Sequence, residues 1–410
     1  MTRRAVVLVL AVLLVGAVRA DDWPQWRGPN RDGVWQKAEL PAKLPEKLRP
    51  RWRQSIGGGY SGIAVAGGRV YTMDYHKTPR EQERVVCLDA ATGKILWTHA
   101  YDVHYGKMEY GNGPRATPTV HDGKVYTFGT RGHLVCLDAR SGKVVWSRDT
   151  VKDFKGTVPQ WGHACSPLVD RRRLIVQVGG EDADLVALDT ATGAEGWRAL
   201  ADRPGYSSPI VISGKGWRQL AHFSPQHVVG LDPEKGKVLW KVEQEPITYD
   251  VAISDAAWHD GILLVGDYWT GSRAIRLDEK GRNPKMIWKG ARLSLLMSTP
   301  LCRDGHVYAL DRKDGLVCIE LQTGKLKWRG EHVTPRGHNP QVSLVWAGER
   351  ALIFNERSEL ILARLMPQKY EEISRTPILG KESWAHPAYA DGCIFARDDE
   401  EIVCVPLRGK

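Results

Sequence analysis

Apolar and polar residues alternate along most of this chain in short runs, each broken by a turn signal. Residues 116–135, ATPTVHDGKVYTFGTRGHLV, show the pattern: an alternating run, an Asp-Gly pair, a second alternating run, and a Gly-containing turn into a third. Period-two alternation sets one face of a strand inward and the other outward, and Asp-Gly favours a two-residue hairpin. The stretch predicts strand, turn, strand, turn, strand. Matching starts occur at SGIAVAGGRVY (61), SPLVDRRRLIV (166), SPIVISGKGWRQL (208), SDAAWHDGILLV (254), TPLCRDGHVY (299), PQVSLVWAGERALI (340) and HPAYADGCIFA (386), which makes eight units.

Most units end on a shared phrase. CLDAATGKILW occupies 87–97, CLDARSGKVVW 136–146, ALDTATGAEGW 187–197, GLDPEKGKVLW 230–240, RLDEKGRNPKMIW 276–288 and CIELQTGKLKW 318–328. The Trp-to-Trp steps run from 40 to 51 residues, the length of a four-stranded propeller blade. The seventh and eighth units have degenerate third strands, at 360 and 402, and the eighth runs out of chain before its outer strand. Residues 48–57, LRPRWRQSIG, are expected to supply that strand, with Trp52 in place of the missing Trp. Closure of this kind removes an open sheet edge. The fold class is thus an all-β, eight-bladed propeller of four-stranded antiparallel blades.

A phrase repeated six times is a building element rather than a reaction centre. The Asp and Gly positions, Asp89 and Gly93, Asp138 and Gly142, Asp189 and Gly193, Asp232 and Gly236, and Gly324, suit turns. A carboxylate there accepts backbone N–H groups, and Gly adopts positive φ without cost. Trp97, Trp146, Trp197, Trp240, Trp288, Trp328 and Trp52 are expected to bury their rings between blades. The position held by Cys87, Cys136, Ala187, Gly230 and Cys318 is small, as a ring lying close to the backbone requires.

The pattern A-x-D-x-x-T-G-x-x-x-W resembles the tryptophan-docking motif of the quinoprotein, or PQQ-like, β-propeller superfamily, and the resemblance runs from about residue 48 to the end. Two kinds of member matter: the pyrroloquinoline-quinone (PQQ) alcohol dehydrogenases, and the cofactor-free propeller lipoprotein of the outer-membrane β-barrel assembly machinery. The motif builds the blade in both, so it speaks for fold more than for activity.

The chain begins MTRRAVVLVLAVLLVGAVRA: two Arg, an apolar run of 14 residues, then small residues at Val18 and Ala20. This reads as a secretory signal peptide over 1–20, too short for a membrane span. No Cys precedes Cys87, so there is no lipobox, a departure from the assembly lipoprotein. No other run reaches spanning length. Loss of Arg3, Arg4 and Arg19 lowers the formal charge from +10 to +7. The remaining charges are scattered, which reads as a solvated surface and not as a nucleic-acid partner. Seven Cys in an exported chain invite a disulfide reading, yet Cys87, Cys136 and Cys318 hold the small position of the motif and Cys404 the equivalent strand, where a small apolar side chain suffices.

Residues 21–47 open with DDWPQWRGPNRDGVW, whose Trp, Pro and Gly argue against helix or strand. They are expected to cap the propeller, laying Trp23 and Trp26 on its wall, and to matter less for stability than 48–57. The propeller itself is assigned to 48–410.

No GxSxG elbow, P-loop, HExxH, EF-hand loop or paired Cys-x-x-Cys motif occurs. The resemblance leaves one route to enzymology, a quinone and calcium site, but the dehydrogenases close that pocket with two adjacent Cys, and here the nearest pair is Cys393 and Cys404. Neither a catalytic residue nor a cofactor or metal ligand is therefore assigned, with a PQQ-dependent alcohol or sugar dehydrogenase as the alternative. The segments leading into the innermost strands carry Tyr60, Arg115, Trp161, His163, Tyr206, Tyr249, Asp250, Arg336, His338, Trp384 and His386. These form the candidate ligand site, at the mouth of the central funnel. The reading is an exported, periplasmic or secreted, monomeric and non-catalytic scaffold for an envelope protein or a small ligand.

Mass spectrometry of the native protein checks the export reading: the mature chain should begin at Asp21, and a retained Met1 or a lipidated Cys would overturn it.

Overall fold

The computed structural model describes residues 21–290, 293–335 and 339–408; the expected leader, 1–20, lies outside them. Eight four-stranded antiparallel sheets follow one another along the chain, at 64–102, 119–149, 168–199, 210–243, 257–290, 301–331, 342–377 and 388–406. In the first seven, spatial order equals chain order. The eighth takes its outermost strand from Trp52–Ser55, paired antiparallel with Glu401–Pro406 in the register Trp52 to Cys404 and Ser55 to Glu401. The eight-bladed propeller and its closure by an N-terminal strand are as the sequence predicts.

Local chemistry explains why each blade forms. The hairpins at Asp122-Gly123, Asp260-Gly261, Asp304-Gly305 and Asp391-Gly392 hold both residues at positive φ, as a type I′ turn demands. The Asp89 carboxylate accepts from the backbone N–H of Ala91 and Thr92 at 3.1 and 2.9 Å, and Asp189 repeats this with Ala191 and Thr192. The small residue is the cross-strand partner of its own blade's Trp, Cys87 of Trp97 and Ala187 of Trp197.

Most docking rings then lie over the turn glycine of the next blade, while Trp328 docks on the glycine-free turn at 366–369. A methyl group built on Gly142 would sit 2.6 Å from the Trp97 ring; the same holds for Gly193 against Trp146 and Gly236 against Trp197, and Gly93 stands 2.5 Å from Trp52. Every indole N–H donates to a carbonyl of that turn: Trp52 to Ala90, Trp97 to Ala139, Trp146 to Thr190, Trp197 to Pro233, Trp288 to Leu321 and Trp328 to Met366. The large ring is buried with its one polar atom satisfied.

Trp240 departs from the expectation. Its ring folds back onto Gly230 of its own blade, and its N–H donates to the Gln219 side chain at 2.9 Å. Trp217, on the second strand of that blade, docks instead, 2.6 Å from a methyl built on Gly281, with its N–H on the Glu279 carbonyl. The physical reason is size: Gly230 is the smallest residue at the small position, so the blade's own sheet has room for the indole.

The N-terminal segment differs more. Residues 21–35 do not lie on the wall but cross the propeller axis and touch every blade. Trp23 exchanges two backbone hydrogen bonds with Val65 in blade one, and Pro24 accepts from Val120 in blade two. The Arg31 guanidinium donates to the carbonyls of Ser166 and Pro167, before blade three, and of Pro209, before blade four. Trp26 donates to Asp255 ahead of blade five, Arg27 to the Pro300 carbonyl ahead of blade six, and Trp35 and Gly33 bond both backbone groups of Trp346 in blade seven. In blade eight, Asp21 accepts from the Asp391 backbone N–H, and Trp23 packs edge-on to Tyr389 at 5.4 Å. Arg27 and Arg31 are 5 % and 4 % exposed, and burial holds the Arg31 pKa down to about 10. Two buried cations persist here because carbonyl oxygens replace their water.

The axial course changes what is expected of the two N-terminal segments. Deleting 48–57 opens a sheet edge, and deleting 21–35 strips donors from carbonyls on several blades, so both should lower the melting temperature strongly. Arg31→Leu alone should cost about 3 kcal/mol, since three buried carbonyls lose their donor. Chemical unfolding measures it, and a wild-type unfolding midpoint would show that the segment does not hold the axis.

Candidate functional site

On the face where the innermost strands begin, the axis opens into a funnel with a cavity of about 400 Å³. Seven of the residues singled out above line it: Tyr60, Arg115, Trp161, Tyr206, Tyr249, Trp384 and His386. They converge because the loops into blades one, two, three, four, five and eight all turn inward at the same level. His163 does not line it. It is 2 % exposed, packed on the Phe128 ring at 4.6 Å between centroids. Asp250 faces a neighbouring groove, paired with Arg203 at 2.9 Å. Arg336 and His338 lie outside the described residues.

Sequence reasoning missed several wall residues. Trp26, from the axial segment, reaches the cavity floor: its ring lies 4.1 Å from that of His386, and its N–H is held by Asp255. The strap at 106–113 sends Tyr110 into the mouth, where its hydroxyl accepts from the Asn339 amide at 3.3 Å. Gly106, Gly111 and Gly113 all have positive φ, as does Tyr110 itself, so the strap is shaped by glycine. Tyr268 and Trp269 come from the turn after strand Ile262–Asp267, with the Arg312 guanidinium 3.9 Å over the Tyr268 ring. That aromatic pair in a turn, where other blades place small or charged residues, was the legible signal.

The charged groups on the wall are occupied. Asp255 accepts from the Ser208 backbone N–H at 2.6 Å and from Trp26, and burial raises its pKa. Glu109 accepts from the Trp161 indole at 3.0 Å. Arg115 donates to the carbonyls of Gly111 and Gly113 and lies 5.3 Å from the Tyr60 ring centroid; burial lowers its pKa. Burial beneath Trp26 holds His386 near 3, so it stays neutral and shares a hydrogen bond of 3.1 Å with Ser343. No Cys lines the cavity. Among the described residues no group of three or more His, Cys, Asp or Glu is placed to hold a metal ion. This donor set does not fit a calcium-held quinone, which needs free carboxylate and amide oxygens at the cavity floor.

Eight blades, joined at seven of their interfaces by a docked Trp, around an aromatic funnel define a PQQ-like β-propeller. The family model described as outer membrane protein assembly factor BamB matches residues 34–110, 81–255 and 226–408, and the chain belongs to that family. Its curated relatives include the outer membrane protein assembly factor BamB of Yersinia pestis, 27 % identical over 168 residues, 38 % of this chain and 41 % of the relative. That of Moranella endobia is 26 % identical, over 38 % of this chain and 42 % of the relative. The chain thus spans less than half the length of the curated relatives it matches. Among solved structures, BamB of Moraxella catarrhalis superposes with a TM-score of 0.62 at 15 % identity, over 88 % of this chain and 99 % of that one. The quinohemoprotein alcohol dehydrogenase of Comamonas testosteroni gives 0.63 at 16 % identity, over 96 % and 82 %. At such identities the likeness is one of fold.

His163 gives a pH test. Its folded pKa, about 3, lies below the ordinary 6.5, so only the unfolded chain takes up this proton between those values. Stability therefore falls as pH drops below 6.5, by about 1 kcal/mol between pH 7 and 5.5 for this one group. Phe at this position should remove that part of the slope, and an unchanged slope would show that His163 protonates in the folded protein.

Proposed function

We propose that this chain is a non-catalytic binding propeller of the cell envelope, holding a partner or ligand at the funnel face. The carrying observation is the wall chemistry: aromatic rings line the cavity, while each wall carboxylate, and the guanidinium of Arg115, is already hydrogen-bonded. A general base needs a free, suitably tuned group within reach of substrate, and His386, held near 3, does not offer one. Family membership supports the scaffold, since the relatives are named as assembly factors. No helix of the described residues is long and apolar enough to cross a membrane. The division that goes with this reading is a leader over 1–20, a capping segment over 21–47, of which 21–35 runs along the axis, and a propeller over 48–410. The partner is an envelope protein or small ligand, and the propeller acts as a monomer.

The alternative, a quinone-dependent dehydrogenase, shares the fold of the solved alcohol dehydrogenases but lacks the donor set here. Two measurements separate the readings. A photo-crosslinking residue in place of Tyr249, on the rim, should give an adduct in envelope fractions, while one in place of Val144, on the outer wall, should not. Added quinone with calcium should leave the melting temperature unchanged, whereas a ligand at 100 times its dissociation constant would stabilise by about 2.7 kcal/mol. A clear shift with dye-linked alcohol oxidation would replace the scaffold by the enzyme.

A further inference from the structure

The funnel mouth carries a nearly continuous belt of rings. Tyr60 meets Trp384 at 5.8 Å between centroids, Trp384 meets Tyr110 at 6.0 Å, Tyr110 meets Trp161 at 6.4 Å, Trp161 meets Tyr249 at 6.4 Å and Tyr249 meets Trp269 at 6.5 Å. The rings are tilted by 37 to 66° and do not stack on one another. Their faces are therefore not consumed in mutual contact. Three of them are exposed at the rim, Tyr249 by 61 % and Tyr110 and Trp269 by 47 % each, an aromatic surface of the kind that marks a binding site.

A second observation is independent of the belt. Gln341 lines the same cavity at 8 % exposure, and its Nε2 meets no acceptor among the described residues. A buried amide donor without a partner costs free energy unless a ligand oxygen or a water completes it. The wall asks for flat apolar faces and an acceptor oxygen together. Its charged groups, Asp255, Glu109 and Arg115, each already hold a hydrogen-bond partner in the wall.

From this we propose that the funnel takes a neutral saccharide, its C–H faces laid on the Trp161 and Trp384 rings and a ring or hydroxyl oxygen accepting from Gln341. The proposal rests on the binding reading above and gives it a ligand class. A pyranose ring presents apolar C–H faces and a rim of oxygens, which matches both observations. An aromatic side chain of a partner would satisfy the belt by itself, and the Gln341 amide would then need a backbone carbonyl from the same partner segment. A cavity of about 400 Å³ is within the range of sites that bury most of a small ligand. The open mouth lets a longer chain extend past Tyr249 and Trp269.

Calorimetric titration with cellotetraose, xylotetraose and chitotetraose, and separately with a capped tryptophan tripeptide, tests it. At least one saccharide should bind with a dissociation constant in the millimolar range or below and quench tryptophan fluorescence. Trp161→Ala and Gln341→Leu should each weaken it about tenfold, the value of one aromatic or hydrogen-bonded contact. Trp269→Ala, at the exposed rim, provides a variant whose folding is not at stake, and it should weaken the tetrasaccharide that binds while leaving the melting temperature unchanged. If no saccharide binds while the Tyr249 crosslink persists, the ligand class is wrong and the scaffold stands. Tripeptide binding that Trp161→Ala abolishes, with saccharides inert, overturns the proposal in favour of a protein partner. Silence in the titrations and in the crosslinking removes both readings.

Discussion

At six of the joints an indole ring lies flat against the next blade because a turn glycine there presents no side chain. This steric condition sets the rest of the architecture. The gap at Gly93, Gly142, Gly193, Gly236, Gly281 and Gly324 is filled by a Trp from the preceding blade, and the carbonyl beside each glycine takes the indole proton. Ring, gap and acceptor together fix the spacing and rotation between neighbours. Loss of one ring is costly because truncating a buried Trp leaves a void worth about 3–5 kcal/mol. Trp52 performs the same step at the seam, so the joint between first and last blades is made as the Trp-and-glycine joints are.

The axial segment links this wall to the funnel. Trp26 is at once part of the chain that crosses the propeller and part of the cavity floor, and Asp255 serves both by accepting from Trp26 and from the backbone leading into blade four. A change at the floor is thus felt in stability as well as in binding. The rim rings Tyr249 and Trp269 are exposed and carry no such load. The molecule separates a rigid base from an adaptable mouth.

What was legible in the sequence is what is repeated. Blade number, strand order and closure follow from eight alternating starts and a recurring Asp, Gly and Trp, because each copy corrects the reading of the others. The swap of Trp217 for Trp240 was hidden, since it depends on a void beside Gly230 that no spacing reveals. The axial segment occurs once, so nothing confirmed its path, and Arg27 and Arg31 looked like surface residues. Their burial depends on carbonyls supplied by residues more than a hundred positions away. At the funnel, Arg115, Trp161, Tyr206, Tyr249, Trp384 and His386 were reachable by aligning the loops that enter the innermost strands. Trp26, Tyr110 and Trp269 were not, because they arrive from a single-copy segment, a glycine-rich strap and a different turn; Gln341, directly before the innermost strand of blade seven, was passed over for the larger Arg336 and His338 of the same loop.

Repeat proteins ordinarily change length by gaining or losing copies, and a ring closed only at its rim would admit a ninth unit by a small rotation at every joint. Residues 21–35 remove that freedom. They bond in turn to Val65, Val120, Ser166, Pro209, Asp255, Pro300, Trp346 and Asp391, one station for each blade. Duplicating a unit would leave one blade without a station and widen a hub already fitted to its occupant. The segment acts as a gauge for the number eight: a chain with another count of blades would need a different axial segment to fill its hub.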